Sequence, residues 1–314
     1  MIDARDRGVF VRVVADESVK NDDRTQVLID ALGSDTTGDS FVIFRSGLGK
    51  GIQHTKLFFG EDENGNGKVV VGSSNLAPDS IGPGDPSNGY QVSYNLDLVT
   101  DKPEIRTAAK EYVEDLIQHP TDLPATPDAT SADGEMSISF LPVETIADSP
   151  ITKFLDQAEC KPVVDESDKP TTVDVVMYDA AAGASHNIQQ LADLADDGCE
   201  VRVVINGKAD EYFGERARVA AHLRKAGAHA VHVVEDFPEL HFFVHGKFVV
   251  VNGGGGKQPK AAQIGSQNLT GGSATRNLEG MVTTFVPKDV DAATASFKEM
   301  WTALQKAAQT TPSR

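Results

Sequence analysis

Histidine is followed by lysine two residues later at only two places in the sequence, as His54 with Lys56 and as His245 with Lys247. In an extended strand, residues i and i+2 point to the same side. Each pair therefore presents an imidazole and an ammonium group together. An imidazole can attack an electrophile or move a proton, and an ammonium group can hold an anionic oxygen.

A second pattern, Gly-Ser-X-Asn, follows each pair, at residues 72–75 and 265–268. Each copy lies across one predicted hairpin, 18 and 20 residues after its histidine. The hairpin brings Asn75 or Asn268 beside the histidine and lysine, and two such sets can surround one anion. This set suits cleavage of a phosphodiester, in which one histidine attacks phosphorus, the other protonates the leaving oxygen, and lysines and asparagines hold the remaining oxygens. No metal is expected, because the lysines supply the positive charge.

The elements that must position these residues alternate between strands and helices, which predicts an α/β protein. In the first half the patterns predict a buried strand at 9–16, further strands at 40–47 and 90–100, and helices at 22–33 and 102–119. In the second half they predict helices at 186–198, 214–227 and 288–307, and strands at 172–179, 199–207, 228–236, 240–256, 261–268 and 277–286.

The order of elements repeats along the chain. It predicts two similar mixed-sheet halves, residues 1–120 and 136–314, related by a pseudo-two-fold axis and joined by a linker at 121–135. In the second half a strand and a helix precede the strand at 199–207, whereas its counterpart in the first half has almost no chain before it. The first half is therefore expected to lack its N-terminal strand and most of its first helix. A full-length form that contains these elements is expected to be secreted, and a cytoplasmic location is the alternative.

The composition narrows the classes of partner. The 314 residues carry a net charge of −18, from 47 acidic and 29 basic residues. A nucleic-acid partner is not expected, because such proteins gain affinity by neutralising phosphates with basic groups. No apolar run reaches the roughly 20 residues that a membrane-spanning helix needs. The two cysteines, Cys160 and Cys199, are open to two interpretations, a single disulfide or two separate buried thiols.

The paired motifs resemble those of the phospholipase D superfamily, HxKxxxxD followed by GSxN, usually in two copies. The resemblance extends over nearly the whole chain. It implies a bilobal α/β fold, a phosphohistidine intermediate, no cofactor, and a phospholipid or another phosphodiester as substrate. By family habit His54 is the nucleophile and His245 the acid and base, and the two roles can be exchanged.

The resemblance also implies a set of supporting residues around the histidines. An acidic residue on a later strand orients each imidazole in the family, and "YNLDLV" and "RNLEGMV" place Asp97 and Glu279 there. Ser73 and Ser266 of the GSxN patterns complete the set.

Two departures from the family pattern leave alternatives open. Where the family has aspartate five residues after each lysine, this chain has Glu61 and Asn252. The expected activity is hydrolysis of phospholipid headgroups, with transphosphatidylation as a second activity. The alternatives are a nuclease of the same superfamily and a degenerate domain that binds phosphate or lipid without turnover.

Overall fold

The computed structural model describes residues 1–75, 93–119, 121–160, 169–206, 213–236, 243–253 and 260–310. The first half contains the strands β1 (Arg12–Asp16), β2 (Phe41–Arg45), β3 (Leu57–Glu61), β4 (Gly67–Gly72), β5 (Ser93–Tyr94) and β6 (Asp97–Thr100), and the helices α1 (Ile2–Asp6), α2 (Asp23–Leu32) and α3 (Pro103–Gln118). The predicted linker contains the strand β7 (Ala129–Thr130), and the second half contains the strands β8 (Met136–Leu141), β9 (Thr172–Met177), β10 (Glu200–Ile205), β11 (His229–His232), β12 (Phe243–Val244), β13 (Phe248–Asn252), β14 (Ala261–Gly265) and β15 (Glu279–Thr284). Its helices are α4 (Pro150–Leu155), α5 (Ser185–Asp196), α6 (Phe213–Lys225), α7 (Val233–Asp236), α8 (Gly271–Thr275) and α9 (Pro287–Thr310). None of the helices in these ranges is long and apolar enough to cross a membrane.

The strands form one large mixed sheet and three smaller sheets within the described ranges. The large sheet has the order β11-β10-β9-β13-β14-β15-β8-β7. Its strands β9, β10 and β11 are parallel, and the strands from β13 to β8 are antiparallel. In the first half β1 pairs with β2 in parallel, and β3, β4 and β6 form an antiparallel sheet. The mixed α/β architecture predicted from the sequence is confirmed.

Several strands of the two halves correspond. Arg12 pairs with Phe41 across β1 and β2, as Arg202 pairs with His229 across β10 and β11. The sheet β3-β4-β6 has the same order and directions as β13-β14-β15. In the second half β9 lies between β10 and β13, whereas no strand among the described residues lies between β1 and β3. The pseudo-two-fold axis and the domain boundaries stay predictions.

Apolar side chains cover both faces of the large sheet. Neighbouring residues of one strand point to opposite faces. Val175 therefore joins the layer that contains α4, α5 and α6, and Val176 joins the layer that contains α3 and α9. This second layer also includes Val69 and Val71 of β4, so the sheets of the two halves share one core. Each such buried side chain stabilises the fold by about 1.5–3 kcal/mol. The shared layer thereby fixes the two histidine motifs relative to each other.

Some predicted elements differ from the structure. The pattern at 9–16 predicts a buried strand, but β1 is exposed or half-buried, because within the described chain it pairs with β2 alone. The strand predicted at 228–236 ends at His232, where a helical turn begins. The strand predicted at 90–100 is divided into β5 and β6, and its residues 90–92 lie outside the described ranges.

The two cysteines form a disulfide, Cys160–Cys199, so the first of the two interpretations is correct. The bond joins residues that are 39 apart in the sequence. Closing a loop of that length in the unfolded chain stabilises the fold by about 4 kcal/mol.

Candidate active site

Each histidine–lysine motif lies in an extended segment just before a hairpin strand, His54 and Lys56 before β3, His245 and Lys247 before β13. Lys56 Nζ donates to His54 O at 2.7 Å, and Lys247 Nζ donates to His245 O at 2.6 Å. Both lysines are buried, at 8% and 0% exposure. Since an ammonium group has three N–H donors, each lysine keeps two for another oxygen.

The backbone of each motif is held by the other half of the chain. His54 N donates to Leu278 O at 2.9 Å, and His245 N donates to Tyr94 O at 3.0 Å. The residue before each histidine is held by its own half. Gln53 N donates to Asp16 Oδ2 at 2.7 Å, at the end of β1. In the same way Val244 N donates to Asn206 Oδ1 at 3.2 Å, after β10.

The carboxylate of Glu279 orients the first histidine, as the sequence predicts. Glu279 Oε2 lies 2.8 Å from His54 Nδ1, and the carboxylate is fully buried. Its second oxygen accepts from Ser273 Oγ at 2.6 Å and from Asn277 Nδ2 at 3.1 Å. These bonds hold the carboxylate in place, so Nδ1 of His54 carries its proton toward Glu279 and Nε2 is left for chemistry.

The second histidine has a different partner from the one predicted. His245 Nδ1 lies 2.9 Å from Ser73 O and 3.1 Å from Asn95 Oδ1. The predicted partner, Asp97, instead accepts from the backbone N–H groups of Ser73 and Ser74 at 2.9 and 3.0 Å and from the Ser74 hydroxyl. An amide and a carbonyl therefore hold His245 where a carboxylate holds His54.

The strand register explains why Asn95, and not Asp97, contacts His245. Gly72 pairs with Asp97 across β4 and β6, and Gly265 pairs with Met281 across β14 and β15. Asn95 and Glu279 each lie two residues before these partners, so Asn95, not Asp97, is the counterpart of Glu279. The two GSxN serines support these strands, since Ser73 Oγ donates to Asn95 Oδ1 at 3.1 Å. In the second half Ser266 Oγ accepts from Gly280 N at 3.0 Å.

The two GSxN asparagines differ in their surroundings. Asn268 is 9% exposed, and its Oδ1 accepts from Asp179 N at 3.1 Å, which leaves Nδ2 to donate. Asn75 is exposed and is the last described residue before 93. Neither forms a described hydrogen bond with a histidine or lysine, so their role in anion binding stays a prediction.

Burial lowers the pKa values of all four basic groups. The pKa of Lys56 falls to about 8 and that of His245 to about 2, in each case chiefly because burial disfavours the charged form. Burial is also the main reason that the pKa of Lys247 lies well below its ordinary value and that the pKa of His54 is lowered. Charge repulsion from the other three basic groups lowers the pKa of His245 further. The negative charge of Glu279 has the opposite effect, since it raises the pKa values of His54 and of both lysines. The two motifs thus form one electropositive site that an anion would stabilise.

Sequence reasoning missed several residues around the second motif. The Tyr178 ring lies 5.1 Å from the His245 ring and 5.2 Å from Lys247 Nζ, measured to its centroid. The next residue, Asp179, accepts from Arg216 Nε at 2.7 Å. The signal that could have found them is position, because both residues directly follow β9, at the carboxyl end of a parallel strand, where α/β proteins commonly place their sites.

The two departures from the family pattern lie away from the reacting groups. Glu61 Oε1 accepts from Lys110 Nζ of α3 at 3.2 Å, and Asn252 Oδ1 accepts from Thr294 Oγ1 of α9 at 3.4 Å. Five residues along an extended strand separate each from its lysine, a span of about 16 Å. Each side chain therefore ties the far end of a hairpin strand to a helix.

Comparison with known families matches part of the chain. Residues 166–301 match the family model described as cardiolipin synthase, PLD-like domain, a stretch that contains the second motif and its hairpin. The match shows a PLD-like domain in the second half of the chain. Comparison with curated proteins gave no match.

Comparison with solved structures shows a likeness of fold. Phosphatidylserine synthase of Haemophilus influenzae Rd KW20 is 10% identical, with a TM-score of 0.52, over 79% of this chain and 61% of that one. Nuc, a phospholipase D family member from Salmonella typhimurium, is 17% identical, with a TM-score of 0.39, over 53% of this chain and 93% of that one. Polyphosphate kinase from Porphyromonas gingivalis has the same identity and TM-score, over 57% of this chain and 27% of its own length. The chain thus spans only part of the kinase and of the synthase.

Proposed function

We propose that the chain is a phosphodiesterase of the phospholipase D type, which hydrolyses phospholipid headgroups through a phosphohistidine at His54. The observation that carries the proposal is the meeting of the two histidine–lysine motifs around the buried carboxylate of Glu279. Basic groups in excess of carboxylates favour an anionic ligand, and a phosphodiester combines that charge with a bond that imidazoles can break. The match of residues 166–301 to a PLD-like domain supports the same function.

In the first step Nε2 of His54 attacks phosphorus, since Nδ1 is held by Glu279. The N–P bond forms, the bond from phosphorus to the headgroup oxygen breaks, and that oxygen takes a proton from His245. The negative charge of the bound phosphodiester raises the pKa of His245, so that its imidazole holds this proton in the complex. In the second step His245 takes a proton from water, the water oxygen attacks phosphorus, and phosphatidic acid leaves His54. An alcohol in place of water gives transphosphatidylation. Lys56 and Lys247 stabilise the charge on the non-bridging oxygens in both steps.

The substrate is tested by headgroup release from phosphatidylcholine, measured beside plasmid nicking by the same preparation. Release without nicking is the expected result. Nicking without release would favour the nuclease, and binding of a short-chain phospholipid with neither activity would favour the non-catalytic domain.

The nucleophile is tested by trapping the phosphoenzyme with a substrate labelled at phosphorus. His245→Ala should retain the label, because His54 can still attack while hydrolysis of the intermediate is slow. His54→Ala should remain unlabelled. Label in His54→Ala and none in His245→Ala would exchange the two roles.

We also propose that the protein functions outside the cytoplasm. The Cys160–Cys199 disulfide supports this location, because such bonds persist in oxidising compartments. Fractionation of producing cells, with free thiols labelled in each fraction, would test it. Protein found only in the cytoplasm with both thiols free would contradict the proposal.

A further inference from the structure

We propose that residues 47–52, together with Arg276, form a lipid-binding rim that seats the active site on an anionic phospholipid surface. The inference rests on the proposed function and concerns how a substrate that lies in a bilayer reaches the site. The loop sequence is Gly-Leu-Gly-Lys-Gly-Ile.

The rim lies at the edge of the active site. Leu48 N donates to Arg276 O at 2.6 Å, and Ile52 O accepts from Leu278 N at 2.9 Å. Ile52 is two residues before His54, and Leu278 directly precedes Glu279. The rim therefore connects the segment that carries the proposed nucleophile with the segment that carries its carboxylate.

Close packing fixes the position of the loop. A Cβ atom at Gly47 or at Gly51 would overlap the Arg276 carbonyl oxygen, so only glycine allows the loop to lie against this backbone. Gly49 has a φ of +61°, a conformation that residues with a side chain rarely adopt. The three glycines thus allow a tight loop, and its other residues, Leu48, Lys50 and Ile52, are exposed.

The side chains of the rim combine apolar and basic character. Leu48 is 48% exposed and Ile52 is 40% exposed. Lys50 and Arg276 are also exposed, and neither forms an ion pair with any residue that the structure describes. Exposed aliphatic groups beside unpaired basic groups are typical of segments that bind the interface of anionic membranes.

Charge complementarity favours a lipid surface as the occupant. The chain as a whole carries a net charge of −18, so an anionic surface attracts it only through local basic groups. Lys50 and Arg276, which form no ion pair with the described residues, give the site such a preferred orientation. Nucleic acid would attract the same two cations but would gain little from Leu48 and Ile52. A bilayer accepts both kinds of side chain.

The experiment compares two double variants with a matched control. Leu48→Ser/Ile52→Ser removes the apolar groups, and Lys50→Gln/Arg276→Gln removes the charges. Val99→Ser is the control, because Val99 is 56% exposed but lies on β6, away from the rim. Binding is measured by co-sedimentation with phosphatidylcholine vesicles and with equimolar phosphatidylcholine–phosphatidylglycerol vesicles. Turnover is measured on vesicles and on a dissolved short-chain phosphatidylcholine.

We expect the apolar variant to bind both kinds of vesicle roughly tenfold more weakly or worse. The charge variant should lose about fivefold per removed cation on the anionic vesicles alone. Val99→Ser should bind as the wild type does. All three should hydrolyse the dissolved substrate at the wild-type rate, since none of these side chains has a role in the proposed chemistry.

The inference is overturned if the wild type does not bind vesicles, if the apolar variant binds them as well as the wild type, or if Val99→Ser loses as much binding. Oligonucleotide binding that depends on Lys50 and Arg276, without vesicle binding, would overturn it in favour of nucleic acid. Rim-dependent vesicle binding by a protein that hydrolyses no phospholipid would instead refute the proposed function and leave the lipid surface standing.

Discussion

Replacing Asn95 with aspartate would test how the second histidine is oriented. Asn95 Oδ1 lies 3.1 Å from His245 Nδ1, whereas Asp97, which the sequence pattern favours, contacts Ser73 and Ser74. Asn95→Asp places a carboxylate against the imidazole. Asp97→Asn removes a carboxylate two residues away, and the two changes form a matched pair.

The magnitude follows from the distance between the new charge and the ring. Two unit charges about 4 Å apart attract by about 4 kcal/mol at an effective dielectric constant of about 20, which corresponds to a pKa difference of about 3. The cost of burying the carboxylate offsets part of this attraction, although Ser73 Oγ, 3.1 Å from Asn95 Oδ1, would donate to it. We therefore expect Asn95→Asp to raise the pKa of His245 by about 1–2. Asp97→Asn should leave that pKa unchanged.

The limb of the pH–rate profile that moves in Asn95→Asp also assigns the role of His245. A raised pKa keeps the imidazole protonated to higher pH. If His245 is the acid, the alkaline limb of the kcat/KM profile moves to higher pH in Asn95→Asp; if it is the nucleophile, the acidic limb moves instead. Titration of the imidazole by NMR measures the pKa directly. A changed pKa in Asp97→Asn and an unchanged one in Asn95→Asp would refute the orientation by Asn95.

Three further changes probe the site and its support. Glu279→Gln keeps the size of the side chain but removes the charge at His54, so kcat should fall by about 10²–10⁴-fold, and an unchanged kcat would refute the orienting role. The pKa of Lys56 is lowered to about 8, so its ammonium group loses its charge as the pH rises above 8. Sulfate binding, measured by calorimetry, should therefore weaken by up to about tenfold per pH unit above that value. A dissociation constant that stays constant through pH 8 would count against a charged Lys56 in the site. Gly72→Ala should lower the free energy of unfolding by more than about 2 kcal/mol, because the new Cβ would overlap the carboxylate of Asp97 on the neighbouring strand. Gly60→Ala, where the space is open, should lower it by less than about 1 kcal/mol. Both values are measured by denaturant titration. Equal effects of the two substitutions would contradict this packing argument.

Local sequence patterns predict the elements whose ends and buried faces are marked by their own residues. The helix predicted at 102–119 is observed at Pro103–Gln118, because a proline opens it and an apolar face that includes Ile105 and Leu116 runs along it at helical spacing. The burial of β1 could not be predicted in the same way, since burial depends on neighbouring strands that a local pattern does not specify.

The partner of His245 could not be predicted for a different reason. A shift of two residues keeps a strand residue on the same face, so alternation does not distinguish Asn95 from Asp97. The likeness of "NLD" to "NLE" favours Asp97, and only the register that pairs Gly72 with Asp97 reveals the shift. The repeated motifs identify the groups that meet in the site, while the partner of each imidazole depends on how the two halves pack.

The hydrogen bonds that join each histidine to the other half of the chain also set an order of events during synthesis. His54 is made 225 residues before Glu279, the carboxylate that holds it, and His245 is made 150 residues after Asn95. A ribosome therefore exposes the proposed nucleophile long before the group that orients it exists. On the proposed function, an unfinished chain is unable to attack the phospholipids of the cell that makes it. Timed translation should accordingly show activity only after β15 has been completed.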